Sequence, residues 1–133
     1  MKRPCRSHCP IAFALDIFGD KWSLLVLRDL LFMGKRHYHE FLASEEGIST
    51  NILADRLRRL EADGLIAKVR DRKNRRQYVY RPTQKGLDLL PITLEIIRWS
   101  AKHDSQTAAP PSFIRRLRRD REGLISEITA KFR

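Results

Sequence analysis

The chain has 133 residues, 42% of them hydrophobic, with 27 Lys/Arg against 16 Asp/Glu and a net charge of +11. That length fits one domain with extensions, and the apolar content suffices for a core. The first apolar run, Pro10 to Leu15, ends at Asp16, far short of the roughly 20 residues a membrane span needs. The Met1-Lys2-Arg3 start is too short and broken for a signal peptide, so a cytoplasmic protein without membrane association is expected.

The charge is uneven. Residues 1–50 carry net +1, residues 51–86 net +7 and residues 87–133 net +3. Such a concentration points to a polyanion on one face rather than to general solubility.

Residues 1–8 read as a basic N-terminal arm. Cys9 then stands where an N-cap would be, with Pro10 at a favoured first helical position, opening a helix from Pro10 to Phe18. Cys5 and Cys9 are too few for a disulfide framework. With His8 they lack a fourth ligand at zinc spacing, so no metal site is expected.

Asp20 is placed to cap a second helix, Lys21 to Met33, ended by Gly34. Trp22, Leu25, Val26, Leu30 and Leu31 make its core stripe, in which Trp22 reads as core rather than as a pocket wall. A very short strand is expected within Lys35 to Tyr38. A third helix follows over Tyr38 to Ala43, with exposed His37 and His39 at its start and a turn over Ser44 to Gly47.

Ser49 is a good N-cap for a helix from Thr50 to Asp63, and Gly64 stands where a left-handed C-terminal residue is wanted. At 100° per residue Leu53, Leu57 and Leu60 face inward. Thr50, Asn51 and Arg58 are left outward, and Asn and Arg side chains pair with the edges of adenine and guanine. Arg56 falls near the core edge, where an ion pair with an acidic neighbour is at least as reasonable as a DNA contact.

Leu65 to Arg70 and Gln77 to Tyr80 read as two strands. Asp71-Arg72-Lys73-Asn74-Arg75-Arg76 between them is a turn with four cations. A charge run alone is most often a solvated loop. After a helix of this kind it reads instead as a wing, with Ser49, Lys73, Arg75 and Arg76 holding phosphates or entering the minor groove. The fold class is therefore mainly α with a small β-hairpin wing (α+β): a winged helix-turn-helix, with its domain over residues 9–103.

Thr83 is placed to cap a long helix from Gln84 to His103, bent at Pro91. It carries two apolar stripes: Leu87, Leu90, Leu94, Ile97 and Ala101, and Leu89, Ile92, Ile96 and Trp99. One stripe can pack on the domain. The other needs a second partner, for which the same helix of another subunit is expected, and a twofold dimer would match a pseudo-palindromic operator. Residues 104–112 read as a linker and 113–133 as a basic amphipathic helical extension, divided at Gly123, that packs on the dimer rather than on a membrane.

No catalytic grouping, phosphate loop or cofactor motif appears, so neither an enzyme nor a bound cofactor is expected. The rival reading is a winged-helix protein-interaction or RNA-binding module without an operator. The missing aromatic platform argues against single-stranded RNA, and the charge of residues 51–86 argues against a protein module.

Cys9-Pro10-Ile11, Gly19-Asp20-Lys21-Trp22, Leu27-Arg28-Asp29-Leu30, Ile48-Ser49, Leu53, Arg56-Leu57, Leu60-Glu61, Asp63-Gly64-Leu65-Ile66, Tyr80 and Thr83 to Gly86 together give this chain its family likeness. From about Cys9 to Trp99 it resembles the HxlR-type winged-helix regulators, relatives of the MarR group. The resemblance implies a homodimeric transcription regulator, here expected to be a repressor. It also implies subunit contacts from the first and last helices, expected at Ile11, Leu15, Leu94, Ile96, Ile97 and Trp99. Some members sense oxidants or electrophiles through the cysteine matching Cys9. A thiol there faces the positive end of a helix dipole, the setting of reactive thiolates, which makes Cys9 a candidate redox sensor and Cys5 its candidate resolving partner. A small-molecule effector is the other candidate input. Two departures stand out: the wing holds no proline, and Pro82 replaces an apolar residue, so the second strand is expected to end early.

Overall fold

The computed structural model describes residues 7–133, so Cys5 and most of the basic arm lie outside the described residues. The elements are α1 (Pro10–Phe18), α2 (Ser23–Leu31), α3 (Tyr38–Leu42), α4 (Thr50–Ala62), β1 (Ile66–Arg70), β2 (Tyr78–Pro82), α5 (Gln84–Leu87), α6 (Leu90–His103), α7 (Pro111–Arg119) and α8 (Arg121–Ala130). The chain divides into two compact units, one up to Gly86 and one from Leu87.

The first unit is built around leucines. Leu27 and Leu30 of α2, Phe41 of α3, Leu53, Leu57 and Leu60 of α4, and Leu65 beside the hairpin are all buried. Phe41 meets the Tyr80 ring edge-on, with centroids 6.0 Å apart. At about 1.5–3 kcal/mol per buried large apolar side chain, these residues dominate the stability of the unit.

Two local devices fix α4. The Ser49 hydroxyl accepts the Ile52 N–H at 3.2 Å. At the other end Gly64 has φ +77°, and the N–H groups of Gly64 and Leu65 donate back to the carbonyls of Glu61 and Leu60. This is a Schellman closure, which glycine allows because it has no Cβ to clash in the left-handed region.

Helix α2 is shorter than expected. Lys21 and Trp22 form a turn in which the Asp20 carboxylate accepts the N–H of Trp22 at 3.0 Å and of Ser23 at 3.1 Å. The strand expected within Lys35 to Tyr38 reduces to one backbone bond, from Tyr80 N–H to the Arg36 carbonyl at 2.8 Å. The hairpin pairs antiparallel, with Ile66 opposite Pro82 and Arg70 opposite Tyr78. Strand β2 thus runs through Pro82, against expectation. Tyr80 directs its N–H away from β1, and Pro82, two residues on, has its missing donor on that same outer edge, so no ladder bond is lost.

In the second unit the long helix expected over 84–103 is broken. Asp88 and Leu89 form a turn, and Pro91 lies in the first turn of α6 instead of bending its middle. There a proline removes no intrahelical bond. The apolar stripes separate in part: Leu87, Leu90 and Leu94 are buried and Ile92, Ile96 and Trp99 are exposed, but Leu89, expected in the second stripe, lies in the turn before α6 and is buried as well. In the tail, α7 begins at Pro111, inside the expected linker, and the break falls at Asp120, not Gly123. The Asp120 carboxylate accepts the Gly123 N–H at 3.0 Å and so caps α8. Ile114, Leu117, Leu124 and Ile128 are the buried residues of these two helices.

Candidate nucleic-acid interface

Helix α4 buries Leu53, Leu57 and Leu60 and turns Thr50, Asn51, Ala54 and Arg58 to solvent. The Arg58 side chain is 72% exposed and pairs with Asp55 at 3.4 Å. Ser49 spends one oxygen lone pair on its cap and keeps its O–H proton for another acceptor. Ala54 was passed over in the sequence. It lies between Asn51 and Arg58 on the outward face, where a small side chain lets a helix approach a groove closely. Its signal was the same 100° spacing.

The helix is held by polar contacts from three directions. Tyr38 on α3 donates its hydroxyl to the Thr50 carbonyl at 3.1 Å. Arg28 on α2 makes a two-pronged pair with Glu46 in the turn before α4, at 2.7 and 2.8 Å. Arg28, helped by the Ser44 hydroxyl, lowers the Glu46 carboxyl to about 2. Arg56 reaches Asp20 at 2.7 Å and Asp55 at 2.5 Å. Although burial works against ionisation there, hydrogen bonds from Ser23, Arg56 and two backbone N–H groups hold Asp20 well below the usual carboxylate range. Arg56 is thus a brace between α4 and the entry to α2, the ion-pair alternative weighed for it from sequence.

The wing is organised by Asp71. Its carboxylate accepts the Lys73 N–H at 2.9 Å and the Gln77 amide at 3.4 Å. Its own N–H closes the loop onto the Gln77 carbonyl. Asn74 accepts the Arg76 N–H at 3.1 Å, and Arg70 donates to the Arg75 carbonyl at 2.9 Å. The tip therefore has a defined backbone. Its four cationic side chains, Arg72, Lys73, Arg75 and Arg76, are exposed and form no ion pair among the described residues. Arg72 is a further omission of the sequence reading, legible from the same charge run.

Asn51 and Arg58 thus share one face of α4, with Ser49 and Thr50 exposed at its start, and Lys73, Arg75 and Arg76 share the hairpin tip, all within the first unit. The residues expected between subunits divide differently. Ile11 and Leu15 are exposed on α1, and Ile96 and Trp99 on α6, with Trp99 67% exposed. Ile97 is half-buried. Leu94 is 0% exposed and belongs to the core of its own chain, which corrects its placement on a subunit face. The α1 face also includes exposed Phe13, which was not assigned from sequence, and α6 also exposes Ile92 of the second stripe. Cys9 is a free, exposed thiol at the N-cap of α1.

A short helix, a turn, a second helix presenting an outward polar face and a charged two-stranded hairpin define a winged helix-turn-helix transcription regulator, a class without catalytic machinery. Comparison with known proteins agrees. The model of the HxlR-like helix-turn-helix family matches residues 17–108. The chain is 31% identical over 96 residues to the HTH-type transcriptional regulator YybR of Bacillus subtilis, covering 72% of this chain and 76% of that one. Among solved structures, PA1607, a candidate transcription factor, is similar with a TM-score of 0.67 and 37% identity over 80% of this chain and 70% of that one. The redox regulator HypR in its oxidised form is similar with a TM-score of 0.61 and 31% identity over 71% of this chain and 96% of that one. The chain belongs to the HxlR-like helix-turn-helix family. No helix among the described residues is long and apolar enough to cross a membrane.

Proposed function

We propose that this chain is a cytoplasmic repressor that binds double-stranded DNA as a homodimer at a pseudo-palindromic operator. The observation that carries the reading is the pairing of an outward α4 face, Thr50, Asn51, Ala54 and Arg58, with a wing whose four cations have no partner among the described residues. The helix suits a major groove, with Asn51 on adenine and Arg58 on guanine. Lys73, Arg75 and Arg76, with the Ser49 hydroxyl, suit phosphates. A dimer seated across an operator represses by occupying the promoter. Footprinting on the DNA flanking its own coding region tests this. Protection of two half-sites about one helical turn apart is the expected result; equal affinity for every duplex, with no footprint, overturns it.

The dimer reading rests on two apolar surfaces: Ile11, Phe13 and Leu15 on α1, and Ile92, Ile96 and Trp99 on α6. On α6 the exposed stripe lines an open groove of about 420 Å³ with Pro91, Glu95 and Arg121. Ile96→Asp places a charge in that stripe and should yield monomers by sedimentation. A monomeric wild type removes both the dimer and the palindrome.

Cys9 is the candidate input. It is free, exposed and at a helix N-cap, and the similar HypR is a redox regulator. Mild oxidation should change operator affinity in the wild type but not in Cys9→Ser. Identical behaviour of the two leaves Cys9 a structural residue.

A further inference from the structure

His37 is used by nothing described so far, yet it stands between the helix-turn-helix and the wing. Its Nδ1 lies 2.9 Å from Glu40 of α3 and its Nε2 lies 3.1 Å from Asp71 of the wing. Both carboxylates are committed elsewhere. Glu40 accepts the N–H groups of Arg36 and His37, at 3.1 and 2.9 Å. Asp71 holds the Lys73 N–H and the Gln77 amide, and so shapes the tip that carries the cations. The His39 ring stacks on the imidazole, with centroids 5.6 Å apart.

An imidazolium has two N–H donors, one for each carboxylate. A neutral imidazole has one donor and one lone pair, so one of the two carboxylates then faces a lone pair. We propose that protonated His37 is the positioning residue of the wing, clamping its root to α3 and thereby making wing engagement with DNA depend on pH. The proposal rests on the DNA-binding reading above.

The sign is fixed by the partners. Its hydrogen bond to Glu40, opposed by burial and helped by Asp71, holds His37 above the ordinary histidine value. A raised value in the folded chain means that the clamp is complete in acid and is lost as pH rises through that value. The loss therefore falls at higher pH than for an ordinary histidine.

The test combines two measurements from about pH 5.5 to 9. Nuclear magnetic resonance of the free protein follows the His37 imidazole and the wing amides of residues 71–77. Fluorescence anisotropy follows binding to a mixed-sequence duplex of about 30 base pairs at constant low salt. In the wild type the wing amides should shift with the His37 titration, and affinity should fall several-fold over the same interval. Asp71→Asn should remove that step, because an Asn amide can donate to the neutral ring. His37→Gln should also remove the step. Wing amides indifferent to His37, or a step that persists in His37→Gln, overturn the clamp. If the wild type binds no duplex at any pH, the DNA reading fails, and the amide titration alone decides the clamp.

Discussion

On α4, Arg56, Arg58 and Arg59 all reach the carboxylate of Asp55, at 2.5, 3.4 and 3.7 Å, and Arg56 also holds Asp20 at 2.7 Å. On the wing, the side chains of Arg72, Lys73, Arg75 and Arg76 meet no carboxylate among the described residues, although the backbone beneath them is tied by Asp71 and Asn74. The same residue type is restrained on one element and free on the other. Reading a base edge needs direction, because a bidentate pair tolerates little rotation. Neutralising a phosphate needs only charge within reach, so a long free side chain can follow the backbone of any sequence. The restraint on α4 and the freedom of the wing fit those two tasks.

The largest expected effect lies on the wing. Replacing Lys73, Arg75 and Arg76 together with Ala should weaken binding to all duplexes and flatten the salt slope by roughly one unit per lost phosphate contact. A triple variant with the wild-type slope means that these cations point past the DNA. The next effect lies on the helix. Asn51→Ala should lose on the order of 1–3 kcal/mol on the cognate site and far less on random DNA. Equal losses on both would make Asn51 a backbone contact and erase the division of labour between helix and wing.

The elements of this comparison were legible in the sequence because they are local. The Ser49 cap, the Leu53-Leu57-Leu60 spacing, Gly64 and the charged turn each depend on residues within one or two turns of one another. The restraints were not legible. Arg56 meets Asp20, and His37 meets Asp71, only after the chain has folded back across more than thirty positions, and periodicity carries no record of such polar pairs. Arg56 shows the boundary: its angle at the core edge suggested an acidic neighbour, but nothing in the sequence chose Asp20 and Asp55. The break at Asp120 was missed for a different reason. Gly123 reads as a helix breaker, whereas Asp120, followed by Arg121 and Glu122, carries an N-cap signal of its own.

The smallest effect is the one that separates restraint from charge. Asp55 is the only carboxylate that Arg58 and Arg59 reach among the described residues, and its side chain is 39% exposed, so its pairs contribute little to stability. Asp55→Asn should therefore change stability by no more than about 0.5 kcal/mol, the usual range for surface substitutions. It removes one negative charge beside the DNA-facing surface, so affinity for a random duplex should rise. It also loosens Arg58, so affinity for the operator should rise less, and the ratio of specific to random binding should fall. Wild-type and variant affinities measured on both duplexes at one salt concentration give that ratio. A parallel rise on both duplexes would mean that Asp55 acts through charge alone and that the orientation of Arg58 does not depend on it.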